Sequence, residues 1–92
     1  MNDDYKKLSN SLLKIMLLLE NFYKSKNDEI KLNIRPLQTH IVSISKGINE
    51  HFEKKAAKLS SDIDNFLSYP QKITYEKLIE DALKLQEELF EI

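Results

Sequence analysis

His40 and His51 carry the imidazoles best suited to metal or proton chemistry, and they lie eleven residues apart. On a helix this spacing is three turns, so the two rings would be about 16 Å apart, too far to share a metal ion. Neither histidine has an Asp, Glu or His three or four residues away, so the paired ligands of helical zinc and di-iron sites are missing. The chain also has no cysteine and no Gly-rich phosphate loop. The sequence therefore predicts no metal site and no cofactor.

His51 begins the segment His51-Phe52-Glu53-Lys54, which resembles the active helix of histidine phosphotransfer domains. In that family an exposed His on a helical bundle is followed by Lys at the third position. A Gly comes next and lets the partner response regulator approach closely. The resemblance implies that His51 is the phosphoacceptor and that Lys54 neutralises the phosphate. Lys55 stands where the family has Gly, and a solvated charged helix face also explains these lysines.

Arg35 and His40 have the R-x4-H spacing and are similar in this to helical ribonucleases of toxin–antitoxin pairs. In those enzymes the Arg and the His act together on an RNA phosphate, so the resemblance implies the same roles for Arg35 and His40. Because Pro36 follows Arg35, we expect Arg35 to lie just outside a helix. This ribonuclease is the second alternative, beside the phosphotransfer bundle.

The remaining polar side chains favour a protein that is not an enzyme. Glu80, Lys84 and Glu88 follow one another at i,i+4 spacing, which a solvated helix face explains. No Ser-His-Asp arrangement and no nucleotide-binding fingerprint is present. The formal net charge is −1 and no segment is strongly basic, so we expect no nucleic-acid partner.

Composition indicates a single helical domain. The chain has 92 residues, of which 32% are charged and 41% hydrophobic, as in globular proteins. One Gly and two Pro are too few for the turns of an all-β fold. No apolar run approaches the ~20 residues that span a bilayer, and the N-terminus lacks the pattern of a secretion signal. We therefore expect no membrane span and a cytoplasmic location. The high Lys, Ile and Asn content favours a bacterial or phage origin.

Apolar periodicity predicts an all-α antiparallel bundle of three long helices. Helix 1 covers about residues 3–25, and residues 26–35 form an extended linker because apolar and polar side chains alternate over Ile30–Arg35. Helix 2 covers about residues 36–68, with Pro36 at its first position and Tyr69-Pro70 at its end. Helix 3 covers about residues 74–91, with Thr74 as its N-cap.

Helix 2 is too long for its neighbours if it is continuous. It would span about 50 Å, against about 35 Å for helix 1 and about 27 Å for helix 3. Two eleven-residue series favour continuity, Leu37-Ile48-Leu59 and Ile41-Phe52-Ile63, because they keep one face in line. Gly47 is a weak point, and a break near Ser60 would give four helices instead of three.

Residues 12–19 are apolar almost all the way round the helix, which is more than one core-facing stripe requires. Leu13, Leu17 and Leu18 lie outside the main stripe, and Ile79, Leu83 and Phe90 widen the face of helix 3. Burying one Leu is worth roughly 2 kcal/mol, so several exposed ones favour association. We therefore predict protein–protein binding through these six residues, with a homodimer expected.

The classes that fit such binding are adaptors, chaperones, antitoxins, immunity proteins and inhibitors. Small bacteriocin immunity proteins are similar in size and helical content. The alternative is that helix 1 lies at the centre of the bundle and all of its leucines belong to the core.

Overall fold

The computed structural model describes residues 3–91 as four α-helices joined by short connections. The helices are α1 (Asp3–Ser25), α2 (Lys31–Ile48), α3 (Glu50–Ser68) and α4 (Lys72–Glu91), with one 3-10 turn (Asp28–Ile30) before α2. No strand occurs within this range. The predicted all-α bundle is confirmed, in its four-helix form.

The extended linker predicted for residues 26–35 is wrong, because α2 already begins at Lys31. Lys26 takes a positive φ of 57° and ends α1, and the Asn27 side chain then caps the 3-10 turn by accepting from the Glu29 N–H at 3.0 Å. Ile34 is fully buried whereas Leu32 is exposed, as helical spacing requires. A lone extended segment would leave its backbone groups unpaired, whereas a helix pairs its own.

Pro36 lies inside α2 and not at its first position, which corrects a second expectation. Its missing N–H removes a single hydrogen bond, to the carbonyl of Leu32 in the first turn. The turn capped by Asn27, an ion pair between Lys31 and Asp28 at 3.3 Å and the burial of Ile34 support the helix upstream of the proline. Arg35 is therefore a helical residue and does not lie outside the helix.

The continuous helix predicted for residues 36–68 is also wrong, and the break lies at Asn49 rather than near Ser60. Asn49 is extended (φ −171°, ψ 173°), and its Oδ1 accepts from the Phe52 N–H at 2.9 Å. This is an N-cap, and Glu50 and Glu53 add negative charge at the positive end of the α3 dipole. Ser60 lies in the middle of α3.

The break makes the helices similar in length, at 18 to 23 residues each. Helix α1 packs beside α2 and α4, and α3 packs beside the same two helices, so the chain runs up and down around one core. The longest dimension of the molecule is 38 Å, close to the length of α1. Helix α4 begins at Lys72, two residues before the expected cap Thr74.

One continuous core fills the space between the four helices. Phe22 of α1 meets Phe66 of α3 edge to face across the bundle, with ring centroids 5.8 Å apart. Tyr23 of α1 stacks on Tyr75 of α4 at 4.4 Å. The apolar α1 residues that are fully or almost fully buried are Leu8, Leu12, Ile15, Leu19 and Phe22. They form one stripe, so α1 occupies a corner of the bundle and not its centre.

Candidate protein-binding surface

Two leucines of α1 remain outside the core. Leu13 is 50% exposed and Leu17 is 65% exposed, because both lie off the buried stripe. Leu13 follows Ser9 by one helical turn, and Leu17 follows Leu13 by another. The Ser9 carbonyl accepts a hydrogen bond at 3.2 Å from the Gln86 side chain of α4. Leu13 therefore lies on the side of α1 that is next to α4, and Leu17, turned about 40° further round the helix, lies at the outer edge of that side.

Helix α4 presents a matching set of apolar side chains. Ile79 and Leu83 lie one and two turns after Tyr75, which stacks on α1, and Phe90 lies one turn after Gln86. Leu83 is 49% exposed and Phe90 is 77% exposed, while Ile79 is half-buried.

The two α1–α4 contacts also fix the relative heights of these residues, that is, their positions along the bundle axis. Because Ser9 meets Gln86 and Tyr23 meets Tyr75, the helices are antiparallel. Residues 13 and 83 then stand at one height, and residues 17 and 79 at another. Five of the six residues predicted from the sequence thus share one side of the bundle. We call this set the α1–α4 face; it consists of Leu13, Leu17, Ile79, Leu83 and Phe90.

Leu18 does not belong to this face. It is half-buried and packs against the core, because it lies on the other edge of the α1 stripe.

Three further exposed apolar side chains were not predicted as binding residues. Leu32 lies in the first turn of α2, Tyr69 follows the end of α3, and Ile73 lies in the first turn of α4; all three are about three-quarters exposed. They lie at the end of the bundle where α2 and α4 begin, whereas Phe90 lies near the opposite end. The sequence signal for Tyr69 was only the turn at Tyr69-Pro70, which indicates exposure but no partner.

The structure gives His51 and Lys54 separate carboxylate partners. His51 Nε2 lies 2.7 Å from Glu88 Oε1 on α4, and Lys54 pairs with Glu50 at 3.2 Å. A carboxylate at the imidazole nitrogen opposes the approach of an anionic phosphoryl group, since like charges repel. The phosphotransfer role of these residues stays a prediction.

Arg35 and His40 are both on α2, but they point in different directions. Five residues on a helix rotate the side chain by about 140° relative to the first. The Arg35 guanidinium pairs with Asp64 of α3 and donates to Gln38 Oε1 at 3.2 Å. His40 is exposed and makes no hydrogen bond or ion pair with residues 3–91. Because Asp64 neutralises Arg35, the arrangement offers little positive charge to a phosphate; the ribonuclease too stays a prediction.

Gln38 is a buried polar side chain that the sequence analysis missed. Its amide nitrogen lies 3.0 Å from the Ser60 carbonyl, 3.2 Å from Ser60 Oγ and 2.9 Å from Asp64 Oδ1. With Arg35 it forms a polar link between α2 and α3 on the side of the bundle away from α1 and α4. Its signal in the sequence is the spacing Ile34, Gln38, Ile41, which places Gln38 on the buried face.

A shallow groove between α3 and α4 holds charges of both signs. The pKa of Lys58 is raised by its hydrogen bond to Asp62, and the pKa of Lys84 is raised by its hydrogen bond to Glu80. The lining side chains are Lys55, Lys58, Leu59, Asp62, Asp81, Lys84, Leu85 and Glu88. Cations and carboxylates alternate along it, as on an ordinary solvated helix surface.

Within residues 3–91, no three His, Asp or Glu side chains come together in a way that would hold a metal ion. None of the helices in the same range is both long and apolar enough to cross a bilayer. Comparison with protein-family models, with curated proteins and with solved structures finds no match for this chain.

Proposed function

We propose that this protein acts by binding another protein through the α1–α4 face and that it has no catalytic activity of its own. One observation carries the proposal: Leu13, Leu17, Leu83 and Phe90 are about half exposed or more, and they share one side of a well-packed bundle. The apolar core residues of α1 and α4 are at most 6% exposed, so the exposure of these four side chains reflects their position and not a loose core.

The free energy gained by burying the apolar side chains of the face supports association. Covering a side chain that is already half-buried is worth about 1 kcal/mol, at roughly 25 cal/mol per Å² of apolar surface. Four such residues can form the centre of an interface. The polar residues around them must contribute further binding free energy, because association has its own entropic cost. The role is that of an adaptor, chaperone, antitoxin, immunity protein or inhibitor, acting in the cytoplasm of a bacterium or as a phage product, and the protein self-associates through the same face.

The test is the double variant Leu13→Glu/Leu17→Glu, measured by light scattering coupled to size exclusion and by circular dichroism. We expect the wild type to have a mass above that of a monomer, and the variant to be a folded monomer, because two charges would now lie in the interface. The matched control is Leu32→Glu/Ile73→Glu, which charges two apolar residues outside the face that are somewhat more exposed than Leu13 and Leu17. The control should behave like the wild type.

Two results would contradict the proposal. If Leu13→Glu/Leu17→Glu unfolds while the control stays folded, the two leucines belong to the core of the single chain. If the two double variants have the same solution mass as an associated wild type, association does not use this face.

A further inference from the structure

We propose that the α1–α4 face binds a second copy of this chain, related by a twofold axis parallel to the helices. In this dimer α1 of each protomer packs against α4 of the other. The inference rests on the proposed function of the face, which already includes self-association, and goes beyond it by stating how the two copies are arranged.

The positions of the apolar residues in the α1–α4 face agree with a twofold axis parallel to the helices. Rotation about an axis parallel to the helices keeps the height of every residue and exchanges the two sides of the face. Because residues 13 and 83 stand at the same height within one chain, Leu13 then meets Leu83 of the partner subunit, and Leu17 meets Ile79 of the partner subunit. Apolar side chains therefore oppose apolar side chains on both halves of the interface.

The charged residues beside the exposed leucines differ in sign between α1 and α4. Lys6 lies two turns before Leu13 and Lys24 two turns after Leu17, on the outer side of α1. Lys6 forms no ion pair within residues 3–91, and Lys24 has only Glu20 at 3.5 Å. The outer side of α1 next to the face therefore has a net charge of +1, because it holds Lys6 and Lys24 against Glu20.

The corresponding side of α4 is acidic. Glu76 lies two turns before Leu83 and Glu87 one turn after it, and both are exposed and form no ion pair within residues 3–91. Glu80 and Glu91 lie further round the same side, and Glu80 pairs with Lys84 at 3.1 Å. Each protomer therefore has a basic edge along α1 and an acidic edge along α4.

These edges select between the two possible twofold axes. An axis parallel to the helices brings α1 to α4 of the partner subunit, so the basic edge meets the acidic edge twice. Lys6 then stands within one turn in height of Glu87 of the partner subunit, and Lys24 within about one turn of Glu76 of the partner subunit. An axis across the helices brings α1 to α1 and α4 to α4, so that like charges meet on both sides. Like-charge juxtaposition disfavours an interface, and we infer the parallel axis.

The area of the face agrees with a reversible dimer. Two neighbouring helices about 30 Å long present a strip about 20 Å wide, or about 600 Å² on each protomer. The total of about 1,200 Å² is at the lower end for specific interfaces. We therefore expect a dimer that dissociates on dilution.

The test is a set of charge reversals in the full chain, followed by sedimentation equilibrium over a range of protein concentrations. Lys6→Glu/Lys24→Glu makes both edges acidic, and Glu76→Lys/Glu87→Lys makes both basic. We expect either pair to raise the dimer dissociation constant at least tenfold, and the fourfold variant that carries both pairs to restore it. The control Lys46→Glu/Lys55→Glu makes the same charge change outside the face and should leave the constant unchanged. Circular dichroism checks that each variant remains folded.

A mixing experiment tests the choice of axis. The fourfold variant has its edges exchanged, so in the proposed dimer it should pair with itself and reject the wild type. In the dimer with the crossed axis it should prefer the wild type, because opposite charges would then meet. Preferential heterodimers, or single-edge variants that dimerise like the wild type, would overturn the proposed arrangement.

The outcomes separate this inference from the proposed function. A dimer that Leu13→Glu/Leu17→Glu breaks but the charge reversals leave intact overturns the arrangement alone. If the wild type is a monomer even at millimolar concentration, the α1–α4 face does not bind a second copy of this chain. Unfolding of the Leu13→Glu/Leu17→Glu variant, as above, overturns the function itself.

Discussion

Gln38 shows how a single polar residue can determine the packing of two helices. It is 5% exposed and its amide group lies within hydrogen-bond distance of Ser60 and Asp64, while its carbonyl accepts from Arg35. An apolar residue at this position would pack α2 on α3 without fixing their register, since apolar contacts are not directional.

We expect Gln38→Ala to lower the free energy of unfolding by about 1–2 kcal/mol, because Asp64 and Arg35 lose a buried partner. Urea denaturation followed by circular dichroism measures the change. Thr39→Ala, at the exposed neighbouring position, is the control and should change stability by less than about 0.5 kcal/mol. Equal effects of the two substitutions would show that the polar link does not contribute to stability.

Tyr75 carries a second prediction at the level of single residues. Burial raises the pKa of its phenol above the ordinary 10.0, and the nearby Glu20 charge acts in the same direction. In the unfolded chain the phenol ionises at its ordinary pKa, so the stability linked to Tyr75 is complete below about pH 10. It is lost as the pH rises through the raised value.

We therefore expect the free energy of unfolding to fall above about pH 10. The raised pKa values of Lys58 and Lys84 act in the same direction, since their ion pairs are lost when the amines deprotonate. Urea denaturation at a series of alkaline pH values tests this, and Tyr75→Phe should make the fall less steep. A slope that this substitution leaves unchanged would assign the effect to other groups.

At the level of elements, the junction at Asn49 separates one apolar pattern into two helices. We expect Asn49→Ala to cost about 1 kcal/mol of stability, because the Phe52 N–H loses its side-chain acceptor. Asn49→Asp should retain most of the stability, since a carboxylate caps equally well. Asn65→Ala, the same change at an exposed position inside α3, is the matched control and should be neutral or slightly stabilising. Thermal unfolding of the four proteins gives the comparison, and an Asn49→Ala protein as stable as the control would contradict the role of the cap.

This junction also shows what the sequence could and could not predict. The bounds of α1 follow from its 3.6-residue periodicity and from the acidic residues of its first turn, and the structure has the same bounds. The eleven-residue repeat continues across Asn49 because α2 and α3 both turn their apolar face to one core. The repeat therefore carries no information about the break, which depends on the local cap of Asn49 and on tertiary packing.

The α1–α4 face could be partly predicted from the sequence for a similar reason. Leu13 and Leu17 lie off the buried stripe of α1, so the helical wheel already predicts their exposure. Leu18 also lies off that stripe, yet it packs against the core. Which edge of the stripe is covered depends on how the neighbouring helices pack. That Leu83 stands at the height of Leu13 depends on the antiparallel register of α1 and α4, which contacts between distant residues fix.

At the scale of the whole molecule, the order of the helices has a consequence for folding kinetics. Three of the four packed helix pairs consist of helices that are consecutive in the chain. Only the pair of α1 and α4 brings the first and the last helix together. Bundles with mainly local contacts fold in microseconds to milliseconds, and closing the longest loop is the step with the largest entropic cost. The α1–α4 face forms only when α4 packs against α1. A folding intermediate made of α1, α2 and α3 would lack half of the face, so association through it would select chains that have finished folding.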